Sequence, residues 1–328
     1  MQPARRFDTD PSGMRAMAFP RPGAAPTART LPIPVPGPGQ LLVRLHAAGV
    51  GRWDLLERDG AFARGPSQAP PFPHVGGSEG AGVVVASGPG VTGFREGDRV
   101  YGLVAARAPR RGCYAEFTLF DADLCWPAPP RLSMDQAAVL AVDGALAWQG
   151  LHEALQARRG DALVVFGASG GAGHFVLQFA ANLGLRTCAV ASGADGVQLA
   201  LRMGADAATD GRQRGFDHDV ARFADGRAVL ALLTAGGDAA TRLLAALPAG
   251  SRVAWPRGVE IDLPQRAGLS ASAFGPRYRG DAMHAFHAAV ERGPLVPHVS
   301  RRFPLERLPQ ALDAVGAHHL GRIAVLTA

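Results

Sequence analysis

One stretch constrains the fold more than any other: ALVVF (162–166) runs into GASGGAG (167–173), and then into HFVLQFAANLG (174–184). The first segment is an unbroken apolar run of the length of a strand buried on both faces. In the third, Val176, Phe179, Ala180 and Leu183 share one helical stripe. TCAVA (187–191) then reads as a second buried strand. Strand, glycine-rich turn, helix and strand make a βαβ unit, which requires a parallel sheet.

Within the turn, Ala168, Ser169, Gly170, Gly171, Ala172 and Gly173 follow the GxGxxG spacing with Ala first, directly after Gly167. Such a turn lets backbone N–H groups and a helix N-terminus approach a pyrophosphate, and Gly173 lets the helix pack on the strand. The spacing alone is common. Its place between a buried strand and an amphipathic helix is what points to a dinucleotide. Ser192 stands at the end of the second strand, where NAD-binding units usually carry an acid for the ribose 2′-OH. The missing carboxylate favours NADP(H) over NAD(H), with Asp195 three residues on and no Arg adjacent in sequence.

The region from Met14 to Pro130 has a different rhythm. QLLVRLHAAGV, GAGVVVASG, GDRVYGL and YAEFTLF are short β-type runs divided by Gly and Pro, as in a barrel or sandwich. Ser133 with Asp135 and Gln136 resembles a capping box, and the Ala/Leu-rich stretch to Leu155 is predicted helical. Residues 1–13 show no periodicity and are expected to be a flexible extension. The length of 328 residues suits roughly two domains at about 150 residues each.

Composition excludes several functions. All 34 basic residues are Arg, so no lysine chemistry is available; the net charge of +6 is dispersed, which argues against nucleic acid as a partner. Cys113, Cys125 and Cys188 form neither a disulfide framework nor a metal knuckle. There is no secretory h-region and no long apolar run, so neither a membrane nor export is expected; a cytoplasmic enzyme with a small-molecule substrate is.

Across Met14–Ala328, the motifs AAGVGRWDLLERDG (47–60), PHVGGSEGAGVV (73–84), FREGDRVYGL (94–103), GCYAEF (112–117), LAWQGL (146–151), VVFGASGGAGHFVLQFAANLG (164–184), LRMGAD (201–206) and GRIAVL (321–326) occur in an order and spacing that resembles the medium-chain dehydrogenase/reductase superfamily, in its zinc-free quinone oxidoreductase and enoyl reductase branch. The resemblance implies an α/β protein: a GroES-like β-barrel domain over 14–130 and 269–328, and a doubly wound Rossmann domain over 131–268. It also implies a homodimer and an active site in the cleft between the domains.

Zinc members of that superfamily carry a Cys ligand in the first motif and a His before the Glu of the second. The matching residues are Gly51 and Ser78, with Glu79 retained. No zinc is therefore expected. The Asn usual after Gly-Val in the zinc-free branch corresponds to Gly51, the Thr before Ala-Trp-Gln to Leu146, and the Lys that often meets the 2′-phosphate to Gly196.

Hydride transfer asks the protein mainly to hold and orient cofactor and acceptor, plus a proton donor or oxyanion stabiliser. Asp143 is a candidate acid if buried, or else a solvated or capping carboxylate. Trp53 either narrows the substrate pocket or packs in the core, and Tyr278 is a candidate donor on a loop. Arg322 either reaches the cofactor phosphates or lies at the surface. The expected activity is hydride transfer from NADPH to a quinone or an α,β-unsaturated carbonyl. The alternatives are a biosynthetic reductase with a different substrate and a nucleotide-binding protein with little turnover.

Overall fold

The computed structural model describes residues 13–60, 72–104, 112–263 and 268–327. All but Gly13 of the expected N-terminal extension lies outside them. The chain divides into two compact units.

The first unit takes the described residues up to Ala128, Arg302–Gly316 and the residues from Ala324. Its strands are β1 (Met14–Ala18), β2 (Thr27–Leu31), β3 (Gln40–Val50), β4 (Glu79–Ser87), β5 (Arg99–Leu103), β6 (Phe117–Asp121) and β7 (Cys125–Pro127), with helix α1 (Arg52–Arg58) after β3. The eleven-residue β3 is the spine. It pairs antiparallel with β4 along most of its length, and with β6 over Gln40–Arg44. Leu41, Val43, Leu45, Tyr101, Tyr114 and Phe120 fill the core at no more than 1% exposure, which makes the two tyrosines packing residues. Short strands interrupted by Gly and Pro thus build the β domain that the pattern suggests, the one the family resemblance implies to be GroES-like.

The second unit spans Pro129–Arg301 and Ala317–Ile323. Helices α2 (Met134–Ala137) and α3 (Ala141–Gln149) and a π-helical turn (Gly150–Ala154) replace the single helix expected to Leu155. Ser133 and Gln136 do form the capping box. Next come β8 (Ala162–Phe166), α4 (Gly173–Leu183), β9 (Arg186–Ala191), α5 (Gly193–Arg202), β10 (Ala207–Asp210), α6 (Phe216–Ala224), β11 (Leu230–Leu233), α7 (Asp238–Ala246), β12 (Arg252–Pro256), β13 (Ser270–Phe274) and α8 (Gly280–Arg292). The sheet order is β10-β9-β8-β11-β12-β13, and all five neighbouring pairs are parallel. This is the doubly wound order in which the chain reverses direction beside β8, the position where such sheets bind nucleotides. Leu163, Val164 and Val165 of β8 are fully buried, as a central strand covered on both faces requires.

The chain then passes through β14 (Val299–Pro304), α9 (Leu308–Gly316) and β15 (Arg322–Leu326). The division expected at 268/269 is corrected here. Residues 269–301 belong with the parallel sheet, because β13 pairs with β12 from Ser270 to Phe274. SASAF is a polar edge strand that lacks the apolar run marking the inner ones, so its sequence did not announce it. Residues 317–323 likewise return to the second unit.

Candidate cofactor site

The site is built where β8 ends. At Gly167 the backbone turns with φ +76°, a conformation that favours glycine. The Gly167 and Ala168 amides donate to Val190 O on β9 at 3.0 and 3.1 Å, and Gly170 N–H donates to Gly167 O at 3.0 Å. Helix α4 opens at Gly173, where an added Cβ would overlap the Gly167 carbonyl and sit 2.7 Å from Ala168 Cα. The close helix–strand approach therefore needs glycine at that position. His174 N–H donates to Gly170 O at 3.2 Å and Phe175 and Val176 N–H to Ala172 O at 3.1 and 3.0 Å, so the first turn of α4 is internally bonded and it is the helix dipole that favours an anion in front of it. Turn, cradle and helix end fit a dinucleotide pyrophosphate.

The turn is held from behind. Ser169 O accepts Gly321 N–H at 2.8 Å. His174, fully buried in the first turn of α4, donates from Nδ1 to Gly170 O at 3.1 Å, and its Nε2 accepts His298 N–H at 3.2 Å. Burial lowers the His174 pKa to about 4, which keeps the ring neutral and suits this tautomer. Arg322 N–H donates to His298 O at 2.8 Å, and its guanidinium forms a salt bridge with Asp143. The pair lies against Gly171, where a Cβ would overlap the Asp143 carboxylate and sit 3.2 Å from Arg322 Cδ.

Arg322 is thus brought to the phosphate turn and is not a surface residue, being 5% exposed. Asp143 takes a part other than that of an acid. Its carboxylate is engaged by a guanidinium, so it is a counter-ion that positions Arg322. Tyr278 is half-buried on the loop between β13 and α8, where Gln149 fixes the backbone of its neighbour Arg277 through bonds of 2.8 and 3.0 Å. Trp53 sits in α1 of the first unit with 37% of its surface exposed, which removes core packing as its role.

At the end of β9, Ser192 N–H donates to Ser169 Oγ at 3.3 Å. Beside it, Asp210 Oδ1 accepts the N–H groups of Gly193 at 2.9 Å and Arg212 at 3.0 Å. A Cβ on Gly193 would lie 3.2 Å from Arg212 Nη1. No Arg adjoins Ser192 in sequence, yet Arg212 stands beside its neighbour Gly193 in space. The signal was available in the alternation of strands, because β10 lies beside β9 and the two end at the same level, Asp210 opposite Ala191. His174, His298, Gly321 and His318 were also missed: His174 lies in α4 itself, and the other three come from segments more than a hundred residues later.

In the first unit, Gly51 caps α1, and its N–H donates to the buried Asp54 Oδ2 at 2.8 Å. Gly51 offers no side-chain donor to a metal. Ser78 and Glu79 are buried, and among the described residues no group of three or more His, Cys, Asp or Glu could hold a metal ion. The three cysteines are buried free thiols; burial raises the Cys125 pKa and pushes Cys188 up to about 12, so neither is a nucleophile at neutral pH. No helix among the described residues is long and apolar enough to cross a membrane.

The alcohol dehydrogenase GroES-like domain family matches residues 37–130. Quinone oxidoreductase of Mus musculus is 29% identical over 316 residues, which cover 90% of this chain and 91% of that protein. A solved NAD-dependent alcohol dehydrogenase is 27% identical with a TM-score of 0.84, covering 96% of this chain and 100% of its own. Mycobacterial Rv1454c in complex with NADPH is 27% identical with a TM-score of 0.79 and the same coverage. Likeness through both units, the GroES-like match and the parallel sheet order agree in supporting the medium-chain dehydrogenase/reductase superfamily, in its quinone oxidoreductase-like branch, as the family of this chain.

Proposed function

We propose that the chain is a zinc-independent oxidoreductase that prefers NADPH and reduces a quinone or an α,β-unsaturated carbonyl. Family membership supplies the coarser part, an NAD(P)H-dependent oxidoreductase. The observation that carries the cofactor reading is the turn at Gly167–Gly173, which leads from β8 straight into the N-terminus of α4 with Arg322 standing against Gly171. Arg212 beside the end of β9, where no acid occupies Ser192, supports the preference for a 2′-phosphate.

Bound NADPH supplies the hydride from its nicotinamide ring. This chain's residues bind and orient: the positive end of the α4 dipole faces the pyrophosphate, Asp143 fixes Arg322, and His174 keeps the Gly170 carbonyl in place. With Gly51 and Ser78 at the positions where zinc relatives have ligands, activation of the acceptor falls to hydrogen bonds and to the burial of the reacting atoms. The reading includes a homodimer in the cytoplasm acting on a small molecule.

The deciding experiment follows NADPH and NADH oxidation across a panel of quinones and enones, alongside cofactor titration. Turnover with at least one acceptor, faster with NADPH, is expected. Tight NADPH binding without oxidation by any acceptor would overturn the enzymatic reading in favour of a nucleotide-binding protein.

A further inference from the structure

We infer that Arg212 and His318 together form the group that recognises the cofactor's 2′-phosphate, with Asp195 as the counter-ion the phosphate displaces. The inference rests on the NADPH reading above and assigns it to residues. Arg212 Nη2 donates to His318 Nδ1 at 2.9 Å. Because that nitrogen accepts, the ring proton sits on Nε2, which donates to Asp195 Oδ2 at 2.9 Å. The result is a relay of three side chains running from a cation through a neutral imidazole to a carboxylate. The His318 hydrogen bond holds the Asp195 carboxyl below its usual range.

The relay lies at the ribose end of the turn. A Cβ on Gly193, the residue after Ser192, would be 3.2 Å from Arg212 Nη1 and 2.8 Å from Asp195 Oδ1. Three different segments converge there: the loop after β10, the start of α5 and the loop after α9. Arg301 steadies the last of them, donating from Nη2 to His318 O at 3.3 Å. A lysine at Gly196, the usual phosphate contact in this superfamily, would not fit without moving Ser169, whose Oγ would be 2.8 Å from its Cβ. The cationic group therefore comes from the far side of Ser192.

The relay is also open to a ligand. The His318 and Asp195 side chains are 36% and 55% exposed, and Arg212 is exposed. Exposed ion pairs add little to stability, so these residues can be changed without unfolding the chain. A phosphate dianion offers Arg212 and His318 more charge and more acceptor atoms than one carboxylate does. It takes the His318 Nε2–H from Asp195, and the guanidinium binds it directly.

The test measures Kd for NADPH, NADH, 2′,5′-ADP and AMP by calorimetry with the wild type, Arg212→Gln and His318→Asn. The Arg212→Gln change is expected to weaken NADPH and 2′,5′-ADP on the order of tenfold to a hundredfold and to leave NADH and AMP within about twofold. The His318→Asn change should act in the same direction, more weakly. A wild-type preference for NADPH that survives intact in both variants overturns this assignment and leaves the proposed function standing. Equal binding of NADPH and NADH by the wild type overturns both. Equal losses for all four ligands in the variants would make the relay a structural tie and sink the inference.

Discussion

His174 and His298 are joined by one hydrogen bond, ring nitrogen to backbone N–H at 3.2 Å, and through it the phosphate turn is tied to a segment 124 residues later. Because His174 is fully buried, its pKa falls from 6.5 to about 4 on folding. The unfolded chain thus binds the proton more readily than the folded one between these values. The stabilising contribution is full above pH 6.5, declines as pH falls, and is gone once pH has passed below about 4. Over that window the loss should approach about 3 kcal/mol. His46 and His287 are shifted the same way, so the measurement is a difference: urea melts from pH 7 to pH 4 for the wild type and His174→Gln. A variant with an equally steep pH dependence would refute the assignment.

Replacing Gly173 with Ala should destabilise the second unit by about 1–3 kcal/mol, since the methyl group overlaps the Gly167 carbonyl and crowds Ala168. Thermal melting gives the cost directly. An unchanged melting temperature would mean that the helix start tolerates a side chain.

Changing Arg322 to Ala leaves the Asp143 carboxylate, 17% exposed, without its guanidinium. A loss of about 3 kcal/mol is expected. In the double variant Arg322→Ala/Asp143→Asn, part of that loss should be recovered, because the orphaned charge is gone. Additive losses in denaturant melts would show that the two side chains are not coupled.

Zinc should be dispensable. Gly51 provides no donor and Ser78 a poor one, so prolonged dialysis against a chelator is expected to leave NADPH oxidation within about twofold of its starting rate. Stoichiometric zinc in protein purified without added metal, or loss of activity reversed by zinc, would contradict this.

The sequence was most readable where local pattern and tertiary role coincide. ALVVF is β8 residue for residue, and the turn that follows needs its glycines for reasons the spacing already suggests. β13 was unreadable because Ser-Ala-Ser-Ala-Phe carries no apolar run and alternates only between Ser and Ala, too weak a contrast to mark a strand before its pairing with β12 is seen. The side chains gathered around the turn were harder still. Arg322 and Asp143 meet across 179 residues, and Arg212 and His318 across 106, distances at which no periodicity speaks. Trp53 shows the converse: a large apolar residue is the natural guess for a core, and this one stands on the exposed side of a short helix.

The late arrival of His298, Gly321 and Arg322 has a consequence for biosynthesis. The glycine turn leaves the ribosome well over a hundred residues before the three residues that brace it. Until those residues emerge, Ser169 O lacks the amide that binds it and Asp143 lacks its cation. A nascent chain can therefore form the β8–α4–β9 unit early, yet its glycine turn stays unbraced until residues 298–322 have emerged.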